Sequence, residues 1–314
     1  ELHGRGGFDA LYADWSGAAA GITWVNTPSS AQVVNGITVS GLERLILSTG
    51  SGDDWLDNRG NGSSSDDIRT GAGNDTIAID AGSVDAGSGN DHITQSWGVA
   101  EGGADSDTLS FGLANSDTGF TRLVVSDDVG NTTGDLNYTS TRGGIETALA
   151  SGTVFDFVRW SGGWGTQLHV SQVESWNLNG SDTNDLIIAR GTGTEFSGGG
   201  GVDTFYGDWS SASAGVSVTS DSGVEGIHWS GFERSLMTGS AQADLFDLGG
   251  NASSDDVQAG LGNDRIVGIA AGDVIAGGGG NDVYELAAAG ATLVEAAGDG
   301  KDEVRAAFDL GLAS

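Results

Sequence analysis

Apolar and polar residues alternate along three stretches of the chain, 10–48, 112–180 and 206–239, as in Val33-Val-Asn-Gly-Ile-Thr-Val39. A period of two predicts strands with one buried face, here joined by longer turns. Elsewhere the pattern contracts to a short unit: Gly, any residue, Gly, any residue, Asp, any residue, apolar. It stands as Gly71-Ala-Gly73-Asn-Asp75-Thr-Ile77, Gly87-Ser-Gly89-Asn-Asp91-His-Ile93 and Gly260-Leu-Gly262-Asn-Asp264-Arg-Ile266. The fullest copies are Gly277-Gly278-Gly-Gly280-Asn-Asp282-Val-Tyr284 and Gly198-Gly199-Gly-Gly201-Val-Asp203-Thr-Phe205, and weaker ones centre on Asp9, Asp54, Asp107, Asp185 and Asp244. Neighbouring Asp residues lie 16 apart (Asp75, Asp91, Asp107) or 18 apart (Asp185 to Asp203, Asp264 to Asp282). Period-two geometry points the Asp and the apolar residue two positions later to the same side. Each unit therefore predicts a turn closed by a carboxylate, followed by a strand whose Ile77, Ile93 or Ile266 enters a core. Glycines two apart allow positive φ, and the Asn before the Asp (Asn74, Asn90, Asn184, Asn263, Asn281) is expected to tolerate the same left-handed region.

A longer repetition overlies the short one. Asp9-Ala-Leu-Tyr-Ala-Asp-Trp-Ser resembles Asp203-Thr-Phe-Tyr-Gly-Asp-Trp-Ser, with further starts at Asp107-Thr-Leu-Ser-Phe and Asp302-Glu-Val, spaced by 98, 96 and 99 residues. Each of the first three is followed by a Glu after Gly and an apolar residue: Gly41-Leu-Glu43, Gly144-Ile-Glu146 and Gly231-Phe-Glu233. Repeats of this kind predict a stacked array. The expected modules are 1–106, a degenerate 107–202, 203–301, and the start of a truncated fourth at 302–314.

Composition sharpens the chemistry. The 314 residues include 56 Gly, one Pro and no Cys, with 44 Asp plus Glu against 12 Lys plus Arg, a formal charge of −32. Such a charge repels phosphate backbones and anionic membrane surfaces, so no nucleic-acid partner is expected. No apolar run approaches the roughly 20 residues of a membrane helix, and without Cys there is neither disulfide framework nor thiolate metal site. Stacked turns would set carboxylates and inward carbonyls about 4.8 Å apart, one strand spacing. That row of negative oxygen is repulsive unless a cation intervenes. Ca²⁺, which takes six to eight oxygens in a flexible shell, fits better than Mg²⁺, with its strict octahedral geometry.

The short unit resembles the glycine- and aspartate-rich nonapeptide of RTX (repeats-in-toxin) calcium-binding proteins, Gly-Gly-x-Gly-x-Asp-x-apolar-x. The resemblance covers the chain intermittently from Asp9 to Asp302. It implies an all-β parallel β-roll or β-solenoid, two nonapeptides per coil, with several Ca²⁺ ions between successive turns. The implied metal-site residues are Asp54, Asp75, Asp91, Asp107, Asp185, Asp203, Asp244, Asp264 and Asp282, with Gly71, Gly73, Gly87, Gly89, Gly199, Gly201, Gly260, Gly262, Gly278 and Gly280. Half-coils such as Ala81-Gly-Ser-Val84 and Ala271-Gly-Asp-Val274 are read as lacking the motif Asp, so one edge is expected to be rich in calcium and the other poor.

The remaining signals are weaker. No His-Glu-x-x-His helix or Gly-x-Ser-x-Gly elbow occurs, and His3, His92, His169 and His228 are scattered, so no catalytic residues are assigned and the chain is not expected to be an enzyme. Trp15 and Trp209 recur in register and suit a structural role. Trp160-Ser-Gly-Gly-Trp164 has no counterpart and could stack on a sugar, although packing is the commoner fate of Trp. Arg44 and Arg234 are expected to pair with local carboxylates. The function expected is a calcium-dependent extender or adhesion segment of a large secreted or cell-surface bacterial protein, folding on Ca²⁺ after type I export. A chain starting at Glu1 without a signal peptide reads as a piece of something longer. Its partners would be neighbouring repeat modules or a surface glycan, without membrane insertion. The alternatives are the non-catalytic tail of a secreted enzyme or toxin, and a carbohydrate- or ice-binding module, although Thr70, Thr94 and Thr108 hold no common register.

Overall fold

The computed structural model describes residues 1–62, 65–112, 123–124, 139–150, 157–158, 167–173, 175–180, 182, 184–189, 195–219, 227–249, 254–296, 298, 300–306 and 308. Trp160 and Trp164 lie outside them. The described chain is a parallel β-solenoid. One long sheet of 13 strands runs from Thr23–Val25 to Glu303–Ala306. Two seven-stranded sheets complete the coils: a first that starts at Ala10–Asp14, and a second that ends at Thr292–Val294. Between Asp66 and Gly112 the chain passes alternately from the first short sheet to the long one: Asp66–Arg69, Thr76–Ala78, Ala81–Ser88, His92–Thr94, Trp97–Ala104, Thr108–Gly112.

Register shows how coils of unequal length keep one core. Thr76 pairs with His92 and Ala81 with Trp97, a coil of 16 residues. Asp256 pairs with Val274 at 18, Leu245 with Arg265 at 20, and Trp55 with Thr76 at 21. Both the 16- and the 18-residue spacings are thus full coils, and the turns absorb the difference. Along the long sheet, Trp24, Leu56, Ile77, Ile93 and Leu109 stand in one buried register row. Facing them on the first short sheet, Leu47, Ile68, Val84, Ala100 and Val170 form another. Alternation alone puts these residues inside, because a slip by one would turn the whole row to solvent.

The stretches 10–48 and 206–239 contribute strands to the same sheets, and their backbone bonds repeat. Trp15 N–H donates to Ser48 O (2.7 Å) as Trp209 N–H does to Thr238 O (2.9 Å), and Ala18 to Trp15 O as Ala212 to Trp209 O (both 2.8 Å). One difference is the hairpin of Gln32–Val34 and Ile37–Ser40, whose second strand pairs with Leu2–His3 in a separate small sheet. Its counterpart Ile227–Ser230 joins the long sheet instead. Asp107 and Asp302 precede long-sheet strands, whereas Asp9 and Asp203 precede strands of the short sheets. The four starts are therefore not structurally equivalent, because a spacing near 97 does not distinguish the two edges of a coil.

Both repeated Trp residues pack as expected. Trp15 lies against the core with its ring 6.4 Å from Trp24, and Trp209 is buried 6.2 Å from Phe205. The Trp209 ring folds back over Gly207, where a Cβ would overlap it. Gly207→Ala should destabilise the protein by about 1–3 kcal/mol, the usual cost of overpacking. A urea midpoint equal to that of the parent would refute that packing argument.

One element was not anticipated. Arg142–Ala150 is an α-helix, so Gly144-Ile-Glu146 is no counterpart of Gly41-Leu-Glu43. Thr141 caps it, its hydroxyl accepting the Gly144 N–H at 3.2 Å. Ile145 is buried with Leu186, Ile188, Tyr206 and Leu236, outer-face residues of the second short sheet. The Arg142 guanidinium clamps that face by donating to Thr238 Oγ1 (2.6 Å), Asp256 O (2.6 Å) and the Asp256 carboxylate (3.0 Å). Among the described residues no helix is long and apolar enough to cross a membrane.

Candidate metal centre

The Gly-Asp turns stand on both edges of the coil. Asp54, Asp75, Asp91, Asp107, Asp244, Asp264, Asp282 and Asp302 precede strands of the long sheet, but Asp185 and Asp203 precede strands of the second short sheet. Most of these turns share one edge, but not all: an 18-residue spacing reports a full coil and not the edge on which it lies. The reading of Ala271-Gly-Asp273-Val274 is corrected. Asp273 is buried on the edge of Asp185 and Asp203, and its Oδ1 accepts the Asp255 N–H at 3.0 Å.

The carboxylates form a ladder because each N–H needs an acceptor where the turn ends the sheet pairing. The N–H of one Asp donates to Oδ1 of the Asp one coil further on: Asp54 to Asp75 (2.7 Å), Asp75 to Asp91 and Asp91 to Asp107 (both 2.8 Å). Asp185 does so to Asp203 (2.7 Å), Asp244 to Asp264 and Asp264 to Asp282 (both 2.8 Å), and Asp282 to Asp302 (3.1 Å). In two long coils, of 34 and 30 residues, a Glu takes the place of the Asp. Asp9 N–H reaches Glu43 Oε2 and Asp203 N–H reaches Glu233 Oε2, both at 2.8 Å. This is the structural role of Glu43 and Glu233.

The preceding Asn residues make a second ladder in the opposite sense. Asn90 N–H donates back to Asn74 Oδ1 and Asn281 N–H to Asn263 Oδ1, each at 2.8 Å. None of these Asn residues has positive φ; among the described non-glycine residues only Asn35, Asp105 and Gln172 do. Their value is thus the side-chain acceptor, not left-handed tolerance. The ten glycines expected at the site, Gly71 to Gly280, all do have positive φ.

One carboxylate oxygen is used in the ladder, and the other sets the chemistry. Oδ2 of Asp91, Asp203, Asp264 and Asp282 is buried with no hydrogen-bond partner. Burial, reinforced by neighbouring ladder carboxylates, pushes Asp91 and Asp264 up to about 7 and Asp203 up to about 8. Burial also raises Asp75 and, with Asp302 nearby, Asp282. The described arginines neutralise other groups: Arg59 pairs with Asp57, Arg69 with Asp67, Arg142 with Asp256, and Arg265 and Arg305 with Glu285. Arg44 donates to the Ser65 carbonyl (2.6 Å) and Arg234 to the Ser140 carbonyl (2.9 Å), and Arg234 also interacts with the Asp256 carboxylate, as expected of it.

Two expected ligands differ from the rest. Asp54 Oδ1 accepts the Ile22 N–H at 2.6 Å and its Oδ2 accepts the Thr49 hydroxyl. Asp244 accepts the Val216 N–H (2.7 Å) and the Ser240 hydroxyl (2.8 Å) on Oδ1, and the Ser240 N–H (2.7 Å) on Oδ2. Both carboxylates are satisfied by the protein. On the other edge Asp255 and Asp273 are satisfied likewise, by Ser235 and Ala270 donors. These two were missed because the glycines that flagged the other turns are fewer there.

A divalent cation fits the turns at Asp91, Asp203, Asp264 and Asp282. Each offers a buried carboxylate oxygen without a hydrogen-bond partner, beside paired glycines of positive φ. An all-oxygen donor set suits a hard cation rather than zinc or copper. His92, half-buried on the outer row, shares a hydrogen bond with Ser110 Oγ through Nε2 (3.1 Å) and takes no part in the turn. No protein-family model matches the chain, and no curated protein matches it.

Proposed function

We propose that the chain is a calcium-binding structural segment of RTX type, an extender or adhesion segment of a secreted or cell-surface bacterial protein that orders when Ca²⁺ enters its turns. The observation that carries this reading is the set of buried carboxylate oxygens without partners. A native interior does not leave such groups unpaired without cause. A hard cation removes both the lost hydrogen bonds and the mutual repulsion, and binding energy becomes folding energy. Extracellular calcium modules bind on the order of 10⁻⁴–10⁻³ M, so a site in that range would fill only after export. The chain would then leave the cell unfolded and lock outside it.

The decisive test is Asp91→Asn, which keeps an acceptor for the Asp75 N–H but removes the charge. Without metal it should stabilise the protein by about 1–3 kcal/mol, because a buried charge facing the neighbouring ladder carboxylates is gone. In saturating Ca²⁺ the order should invert, with the variant melting below the parent and calorimetry showing weaker calcium uptake. A variant with the same sign of effect in both conditions refutes the assignment.

A further inference from the structure

Resting on the calcium reading above, we infer that Glu295 completes a cation site of different make from the other turns, in which Asp282, Glu295 and Asp302 converge on one divalent ion. Each of the three brings a carboxylate oxygen to within 4.8 Å of the other two. Proximity alone would be unremarkable in so acidic a chain. The second observation is Asp282 itself: it is 1% exposed, and its Oδ2 has no hydrogen-bond partner.

That oxygen faces the place where Glu295 arrives. Register sets Val274 beside Thr292 and Ala276 beside Val294, which brings Glu295 alongside Gly277 in the next coil. A Cβ at Gly277 would overlap both the Tyr284 hydroxyl and Asp282 Oδ2, so the two oxygens border one space that only glycine leaves open. The Tyr284 hydroxyl donates to Glu295 Oε1, fixing the Glu over that space. The other Asp oxygens already have duties: Asp282 Oδ1 accepts the Asp264 N–H, and Asp302 Oδ1 accepts the Asp282 N–H.

The turns at Asp91, Asp264 and Asp203 are not arranged in this way. Five residues before Asp91, Asp264 and Asp203 stand Ala86, Ala259 and Gly198, none of which offers a side-chain oxygen. Glu295 is seven residues before Asp302, the two extra residues letting a long side chain turn back to the coil beneath. Glu295 and Asp302 are exposed, so the ion enters from solvent. Three carboxylates in one shell select a hard cation, and a flexible, partly hydrated shell favours Ca²⁺ over Mg²⁺.

The test is calorimetric titration of the whole chain and of Glu295→Gln with calcium chloride. The Gln side chain retains an acceptor for Tyr284, and its exposed position leaves folding unaffected. The variant should bind one ion fewer per chain, with circular dichroism at saturating calcium unchanged. A parent that binds calcium and a variant with the same stoichiometry and midpoint overturn this site alone. A parent that takes up no calcium overturns the calcium reading as well.

Discussion

Chelation at pH 8 should abolish most of the far-ultraviolet β-signal, and added Ca²⁺, but not Mg²⁺, should restore it cooperatively. The magnitude follows from the turns. An unpaired buried polar oxygen costs about 1–3 kcal/mol, so the four at Asp91, Asp203, Asp264 and Asp282 together cost about 4–12 kcal/mol. A domain's whole net stability is only about 5–15 kcal/mol. Self-repulsion at a charge of −32 acts in the same direction. A solenoid whose coils touch mainly their neighbours cannot compensate at a distance, so losing several rungs loses the array. Full β-signal after exhaustive chelation at pH 8 would sink the proposal.

The same residues set the sign of the pH dependence. Asp91 and Asp264 titrate near 7 and Asp203 near 8 in the metal-free fold, against 3.8 ordinarily. A raised carboxylate pKa means that the folded state holds its proton more tightly than the unfolded chain does. The stabilisation is complete below about 4 and disappears as pH rises through 7 to 8. The chelated chain should therefore be more ordered at pH 5 than at pH 8.5, by circular dichroism at each pH. With calcium the dependence reverses: protons compete for the ligand oxygens, and the calcium midpoint should tighten as pH rises.

Much of this was legible in the sequence because a solenoid repeats its physics. Ile77 and Ile93 announce the core by standing two residues after an Asp, and the glycines announce the turns by their pairs. The ladder follows from the same spacing, although its hydrogen bonds do not: that Asn74 serves as an acceptor, and that Glu43 and Glu233 replace Asp where the coil lengthens, required coordinates. The edge on which each turn lies was illegible, because Asp185 and Asp75 sit in similar local sequences while strand pairing is decided by the whole coil. The helix at Arg142–Ala150 was hidden for a related reason. Two glycines in its first turn argue against a helix, and it persists because Ile145 covers Leu186, Ile188, Tyr206 and Leu236 while Arg142 holds Asp256. Tertiary packing overrode local preference.

The strongest single-site effect is expected at Gly280. Its φ of +141° lies in a region that L side chains rarely adopt. A Cβ there would overlap the Gly262 carbonyl oxygen on the coil beneath, and this is backbone, which cannot swing aside as a side chain would. Gly300 stands on the Gly280 carbonyl in the same way, so shifting one rung displaces the next. Gly280→Ala thus combines forbidden dihedrals, a backbone clash and distortion of the turn that closes on Asp282, and should cost more than about 4 kcal/mol, beyond the ordinary range of single substitutions. Gly279→Ala serves as the control: its φ is not positive, and the nearest obstacle to a Cβ is the Leu261 Cδ2 at 2.9 Å, the end of an exposed side chain that can turn away. In saturating calcium the first variant should lose its unfolding transition at the parent's midpoint while the second stays within about 1 kcal/mol of the parent. Equal midpoints for the two would mean that the stacked carbonyls do not constrain the coil, and that the turns close for some reason other than backbone contact between rungs.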